Sequence, residues 1–271
     1  MKRVDVSAVL REKAPSLSRR IPKWLVRRIE RFICQDRLNE LLAHNEHMSG
    51  VDFAEGVVNE LEVDYSDVRG EWPESSRVIF ASNHPLGGLD GLVLSAIVGR
   101  HYGRKDIRFV VNDILTFVDP LKDIFIGVNK HGSQSKASAE QLDCAFASDA
   151  PVLMFPAGLC SRRQPDGSIA DLTWNKMVIN KAIFYHRDII PVYFDGENSR
   201  FFYNFARLRV RLGLKFNIEM LRLPREFVDS QGKKVSVTFG EPISWQSLKG
   251  GREALSEAAR LRQAVYSLRN T

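Results

Sequence analysis

From Arg77 onward the chain is a succession of short apolar runs separated by longer stretches with helical spacing, and no other feature narrows its fold so far. The runs are RVIFAS (77–82), IRFVV (107–111), DIFIGVN (123–129), PVLMF (151–155), DIIPVYF (188–194) and KVSVTFG (234–240). Helical stretches fall between them at 90–101, 134–148 and 174–186. A strand that is apolar along its whole length has no polar face, so both sides of its sheet need cover. Intervening helices supply that cover. The expectation is an α/β fold with a largely parallel central sheet flanked by helices. Ligands of such sheets sit beyond the carboxyl ends of the strands.

The region before the sheet has a different texture. Residues 1–65 read as an N-terminal helical, basic, membrane-facing segment, and residues 66–271 as the domain that carries the chemistry. Ser18 to Glu40 has an amphipathic pattern. Ile21, Trp24, Leu25, Ile29, Phe32 and Ile33 share one face, with Lys23, Arg27, Glu30 and Arg31 opposite. Leu38, Leu41 and Leu42 lie off that stripe, which predicts a bend near Asp36. Residues 1–31 hold ten Lys and Arg against three acids, a net of +7, whereas the whole chain carries +6. A basic arm on a near-neutral body attracts an anionic surface. An amphipathic helix with a basic face suits the headgroup layer of a bilayer, although a helix docked on its own domain with a solvated face has the same pattern. No apolar run is long enough to span a membrane and no secretory signal is visible. The expected location is peripheral, on the cytoplasmic face. A second basic stretch mixed with aromatics runs from 200 to 225, with no role legible in it.

Cys34, Cys144 and Cys160 are too few and too scattered for a disulfide framework. His44, His47, His101, His131 and His186 show no ligand spacing, so no metal is expected.

Chemistry concentrates in Asn83-His84-Pro85-Leu86-Gly87-Gly88-Leu89-Asp90-Gly91, directly after the first apolar run. The position puts a histidine at the end of a strand, and Pro85 with Gly87-Gly88 makes a tight turn. Asp90, folded back onto the imidazole, would fix its tautomer and raise its basicity. Such a pair takes the proton from an alcohol as it attacks an activated carbonyl. Asp90 as a simple N-cap and His84 as a loop residue are the plainer alternatives.

Asn-His followed by an aspartate resembles the first block of the glycerolipid acyltransferase family, the PlsC-like group that contains lysophosphatidic acid acyltransferases. Three further stretches resemble the later blocks in order: Asp123 to Lys130, Phe155-Pro156-Ala157-Gly158-Leu159-Cys160-Ser161-Arg162, and Ile190-Pro191-Val192-Tyr193. Together they cover about residues 77–200. Two departures stand out. Five residues separate His84 from Asp90 where the family has four, and Ala157 replaces the third block's glutamate. Since that block is linked to binding glycerol phosphate, its change points away from a phosphate-bearing acceptor. NHPLGGLDG with FPAG resembles the branch that O-acylates lyso-aminolipids of the N-acyl ornithine or glycine type, whose acceptors carry a carboxylate and a fatty-chain hydroxyl.

The resemblance implies an acyltransferase domain over 66–271 that moves a fatty acyl group from acyl carrier protein (ACP) or coenzyme A (CoA) onto a single-chain lipid. His84 is then general base and Asp90 its orienting partner. Asn83, Lys130, Gly158, Ser161, Arg162 and Arg163 are the implied substrate-binding residues, with Gly158 near the thioester oxyanion and the cations holding an anionic group. No cofactor is needed beyond the acyl-ACP or acyl-CoA co-substrate. The expected partners are a lipid acceptor, the acyl carrier and an anionic membrane surface. A 1-acylglycerol-3-phosphate acyltransferase is the nearest alternative. A nucleic-acid binder would use the basic arm, but no helix-turn-helix, zinc or RNA-binding aromatic motif accompanies it, so no nucleic acid is expected. A serine hydrolase lacks its Gly-x-Ser-x-Gly elbow. Cys160 reads better as a buried small apolar residue than as an acylated nucleophile.

Overall fold

The computed structural model describes residues 3–13, 15–18, 20–112, 118–128, 136–214 and 217–270. A helical arm comes first: α1 (Val6–Lys13), α2 (Pro15–Ser18), α3 (Lys23–Phe32) and α4 (Gln35–His44). The predicted bend falls at Cys34, whose φ of +54° breaks the helix between α3 and α4. Next come α5 (Gly50–Glu60), β1 (Asp64–Arg69), β2 (Ile79–Ser82), α6 (Leu89–His101), β3 (Arg108–Asn112), β4 (Phe125–Val128), α7 (Lys136–Ala147) and β5 (Val152–Met154). The chain continues with β6 (Arg162–Arg163), β7 (Ile169–Ala170), α8 (Met177–Tyr185), β8 (Ile189–Asp195), α9 (Arg200–Arg211), α10 (Leu223–Val228), β9 (Lys234–Phe239) and α11 (Ala254–Ser267).

Seven strands form one sheet in the order β1-β9-β8-β2-β5-β3-β4, and β6 with β7 makes a separate small hairpin. Within the large sheet only β8–β9 is antiparallel. The sheet is therefore largely parallel, as its apolar strands require. Alternate residues feed two cores. Phe80, Leu153, Ile190, Val192 and Phe194 pack with α5 and α6. Ile79, Ala81, Val152, Met154 and Ile189 pack on the other face with residues of α7, α8 and α11. Every residue of α6 from Leu89 to Gly99 is buried, so this helix is a core element rather than an amphipathic cover.

A division at residue 65 would pass through packed structure. The helix α5 contributes Val51, Phe53, Ala54, Val57 and Val58 to the core, and β1 pairs with β9. The looser region is α1–α4, of which α3 has no buried residue at all. The arm is tied together by side-chain clamps on the backbone. Asn39 Oδ1 accepts from Val4 N–H at 2.8 Å, Asn39 Nδ2 donates to Val4 O at 2.9 Å, and Gln35 Oε1 accepts from Val6 N–H at 2.8 Å. No helix among the described residues is long and apolar enough to cross a membrane.

Candidate active site

The carboxyl ends of β2, β5 and β8 lie side by side and are followed by the loops that hold His84, Phe155 and Asn198. His84 Nδ1 stands 3.0 Å from Asp90 Oδ2. Asp90 is fully buried and does not cap α6; the N-cap is Gly88, with no side-chain cap. Its carboxylate turns back over the preceding loop instead. Oδ2 also accepts the backbone N–H groups of Leu86 at 2.9 Å and Gly87 at 3.3 Å, while Oδ1 accepts that of Gly91 at 2.9 Å. A buried carboxylate needs such donors to offset its lost hydration. With the acid ionised, the ring donates through Nδ1–H and Nε2 keeps a free lone pair. The five-residue spacer closes because Gly87 takes φ +88°. A Cβ there would meet Leu223 at 3.0 Å. The imidazole, 13% exposed, stacks on Phe155 with centroids 4.0 Å apart and planes 16° from parallel.

A second carboxylate supports the same residue from behind. Asp171 Oδ1 accepts the His84 backbone N–H at 3.1 Å and the Ser161 hydroxyl at 2.6 Å, and Oδ2 accepts Trp174 Nε1–H at 2.9 Å. Ser161 N–H donates to His84 O at 2.7 Å, which closes the circuit. Burial pushes the Asp171 carboxyl above its ordinary value, against the pull of the Ser161 and Trp174 donors. Its own backbone is held by α11, through Tyr266 Oη at 2.7 Å and Arg262 Nη2 at 2.8 Å. On the other side of His84, Asn83 clamps β8. Its Oδ1 accepts Phe194 N–H at 2.7 Å and its Nδ2 donates to Phe194 O at 2.9 Å. Asn198 Nδ2 donates to Pro85 O at 3.0 Å. Both chain neighbours of His84 are thus bound to β8 or the loop after it.

The model of a protein family described as "Acyltransferase" matches residues 8–271. The chain belongs to this acyltransferase family. It is 40% identical over 267 residues to a protein of Phocaeicola vulgatus named lyso-glycine lipid O-acyltransferase, covering 98% of this chain and 95% of that one. It is 41% identical to a protein of the same name from Bacteroides thetaiotaomicron, covering 98% and 97%. A solved structure, the 1-acyl-sn-glycerophosphate acyltransferase PlsC of Thermotoga maritima, overlays with a TM-score of 0.46 at 15% identity, covering 85% of this chain and 88% of that one.

In this acyltransferase several residues expected to contact substrate are committed to the protein itself. Asn83 and Ser161 are buried and spend their side chains on Phe194 and Asp171. Arg162 is buried too. It pairs with Glu219 at 2.9 Å and donates to Cys160 O at 2.6 Å, with its guanidinium over the Phe202 ring at 5.0 Å. Arg209 meets the other oxygen of Glu219 at 2.9 Å. Gly158 takes φ +63°, but its N–H donates to Phe155 O at 2.9 Å within its own turn and is not free for an oxyanion. Lys130 lies outside the described residues. Arg163 alone of this group has a free fork: it lines a cavity and makes no ion pair among the described residues. Cys160 is fully buried, and burial pushes its thiol up to about 11. A buried thiol held that high has almost no thiolate at neutral pH, and the thiolate is the nucleophilic form. Among the described residues no three or more His, Cys, Asp or Glu gather as metal ligands.

Phe155 and Asp171 are the additions that sequence alone did not supply. Phe155 sits inside the third motif block, which was a signal for it. Asp171 lies 87 residues from His84 in a polar stretch without periodicity, and nothing local marks it.

Proposed function

We propose that this acyltransferase moves a fatty acyl group from an acyl-ACP or acyl-CoA thioester to the hydroxyl of a lyso-glycine lipid, working at a membrane surface. The observation that carries the chemistry is the 3.0 Å contact between His84 Nδ1 and Asp90 Oδ2. Asp90 holds Nδ1–H, and His84 Nε2 takes the acceptor's hydroxyl proton as the oxygen attacks the thioester carbonyl. The new C–O bond forms and the C–S bond breaks. The imidazolium, stabilised by Asp90, returns the proton to the departing thiolate. No acyl-enzyme is required, because the donor is already activated. The acceptor is supported by the names of two relatives about 40% identical over nearly the whole chain. Ala157, in place of the third block's carboxylate, agrees with an acceptor that lacks glycerol phosphate.

Membrane contact is supported by two neighbouring surfaces. Trp24 on α3 is 63% exposed among exposed Lys23, Arg27, Arg28 and Arg31. Six of the exposed large apolar residues fall between 201 and 221: Phe201, Leu208, Val210, Leu212, Leu214 and Leu221. The basic-aromatic stretch left without a role thus resolves into α9 and its successors, with Phe202, Tyr203 and Ala206 buried and Phe201, Leu208 and Val210 outward. Arg222 joins the two surfaces, lying over Phe32 at 5.6 Å and Phe201 at 5.0 Å. Clustered apolar side chains rimmed by cations match an anionic headgroup layer.

The test is incubation with a labelled acyl thioester and three acceptors: an N-acyl glycine with a chain hydroxyl, its ornithine counterpart, and 1-acylglycerol-3-phosphate. Mass analysis should find the O-acylated glycine lipid as the main product. Free fatty acid alone, or preference for the phosphate-bearing acceptor, would overturn the reading.

A further inference from the structure

Most arginines near the site are paired. Arg162 and Arg209 share Glu219, Arg222 meets Glu226 at 3.1 Å, and Arg225 meets Asp229 at 3.1 Å. Arg163, Arg200 and Arg269 differ. They line one cavity of about 410 Å³ with Glu197, Asn198 and Tyr203, and none has a carboxylate within ion-pair distance among the described residues. One glutamate against three guanidinium groups leaves the cavity with a net charge of +2. Arg200 and Arg269 are exposed to solvent and Arg163 is half-buried, and three cations facing one space attract an anion to it.

Arg163 carries the clearest mark. Its Nε is shut off from water and has no hydrogen-bond partner. A buried guanidinium nitrogen without an acceptor is costly, and such groups call for an explanation. Its orientation is fixed: the guanidinium lies 6.0 Å from the Tyr203 ring, and Tyr203 Oη in turn accepts Asn198 N–H at 3.0 Å. Asn198 also grips Pro85 O, next to His84. A smaller hollow shares Ile169, Glu197 and Arg269 with the cavity and is walled by Asn83, Pro85 and Ser161, on both sides of the base. The cationic cavity therefore lies against the loop that carries His84, beyond the carboxyl end of β8, where α/β sheets take ligands.

We propose that this cavity is an oxyanion-recognition site in which Arg163, Arg200 and Arg269 hold the anionic head of a substrate, a carboxylate or a phosphate. The planar guanidinium fork suits either group, and the cavity's mostly polar and charged lining suits a headgroup and not an acyl chain. The proposal rests on the acyl-transfer reading above, in which the acceptor offers a carboxylate and the thioester carrier offers a phosphate. It extends that reading to Arg200 and Arg269, which no motif includes.

The experiment uses the full chain and the variants Arg163→Gln, Arg200→Gln and Arg269→Gln, with KM measured separately for each substrate. At least a ~10-fold rise in one KM, with kcat within a few-fold, is expected, since a charged hydrogen bond to substrate is being removed. A rise in acceptor KM assigns the site to the carboxylate; a rise in donor KM assigns it to the phosphate. Unchanged KM values for both substrates in all three variants overturn the proposal. Binding of inorganic phosphate, followed by calorimetry, needs no turnover. The wild-type protein should bind it at least ~10-fold more tightly than the variants, and equal binding overturns the site even if acyl transfer fails with every acceptor. Arg163→Lys, which keeps the charge and loses the fork, should fall between wild type and Arg163→Gln, and circular dichroism checks that each variant is folded.

Discussion

The loop around His84 and the outer face of α9 are built on opposite principles. At His84 the ring, the backbone N–H and the backbone C=O each have a named partner, from Asp90, Asp171 and Ser161. On α9, Phe201, Leu208 and Val210 are each at least half exposed, with Phe201 meeting Phe205 and Arg222 at the surface. The first arrangement fixes one atom, Nε2, relative to a reacting hydroxyl. The second leaves apolar area that a hydrated headgroup layer can cover. Losing one hydrogen bond matters at the first and little at the second, where only the sum counts.

That contrast can be broken by substitution. His84→Ala should lower kcat by at least ~10²-fold with the fold intact, the scale of a lost general base, and Asp90→Asn should follow with a smaller loss. Near-normal acyl transfer by folded His84→Ala would remove the proposed chemistry. Asp171→Asn leaves Asp90 untouched but loosens the His84 backbone. It should reduce kcat roughly tenfold without a matching rise in KM, and cost about 1–3 kcal/mol of stability as a buried charged acceptor is replaced. A purely structural Asp171 would show the stability loss and unchanged kcat. Leu208→Ser with Val210→Ser should weaken binding to anionic vesicles several-fold, with turnover on detergent-dispersed acceptor unchanged. Binding equal to wild type would mean that α9 faces something other than lipid. The smallest effect is expected at Cys160. With its thiol near 11, it should resist alkylation at pH 8 while exposed Cys144 reacts, and Cys160→Ala should keep near-normal activity.

How far each feature was legible follows the range of the interactions that make it. The strands β2 and β5 are buried along their length, and β3 and β8 along all but their ends, so their composition alone announces them. The edge strand β1 reads Asp-Tyr-Ser-Asp-Val-Arg with its charged residues outward, and nothing apolar marks it. The β6–β7 hairpin has two residues per strand, too short for any period. In α11, Ala254, Ala258, Leu261 and Val265 do carry a helical period, a signal present but unused. The site divides in the same way. Asp90 is six residues from His84 and could be paired with it by spacing. Arg162 and Arg163 are adjacent and indistinguishable in sequence, yet Glu219 neutralises one and leaves the other open to a cavity. Only the fold brings Glu219, 57 residues on, to that choice.

Asp171 reaches His84 from a backbone that Tyr266 and Arg262 of α11 hold in place. This helix is thus a keystone: where it is undocked, the base lacks its backing. A change that loosens α11 therefore reaches the imidazole without touching it.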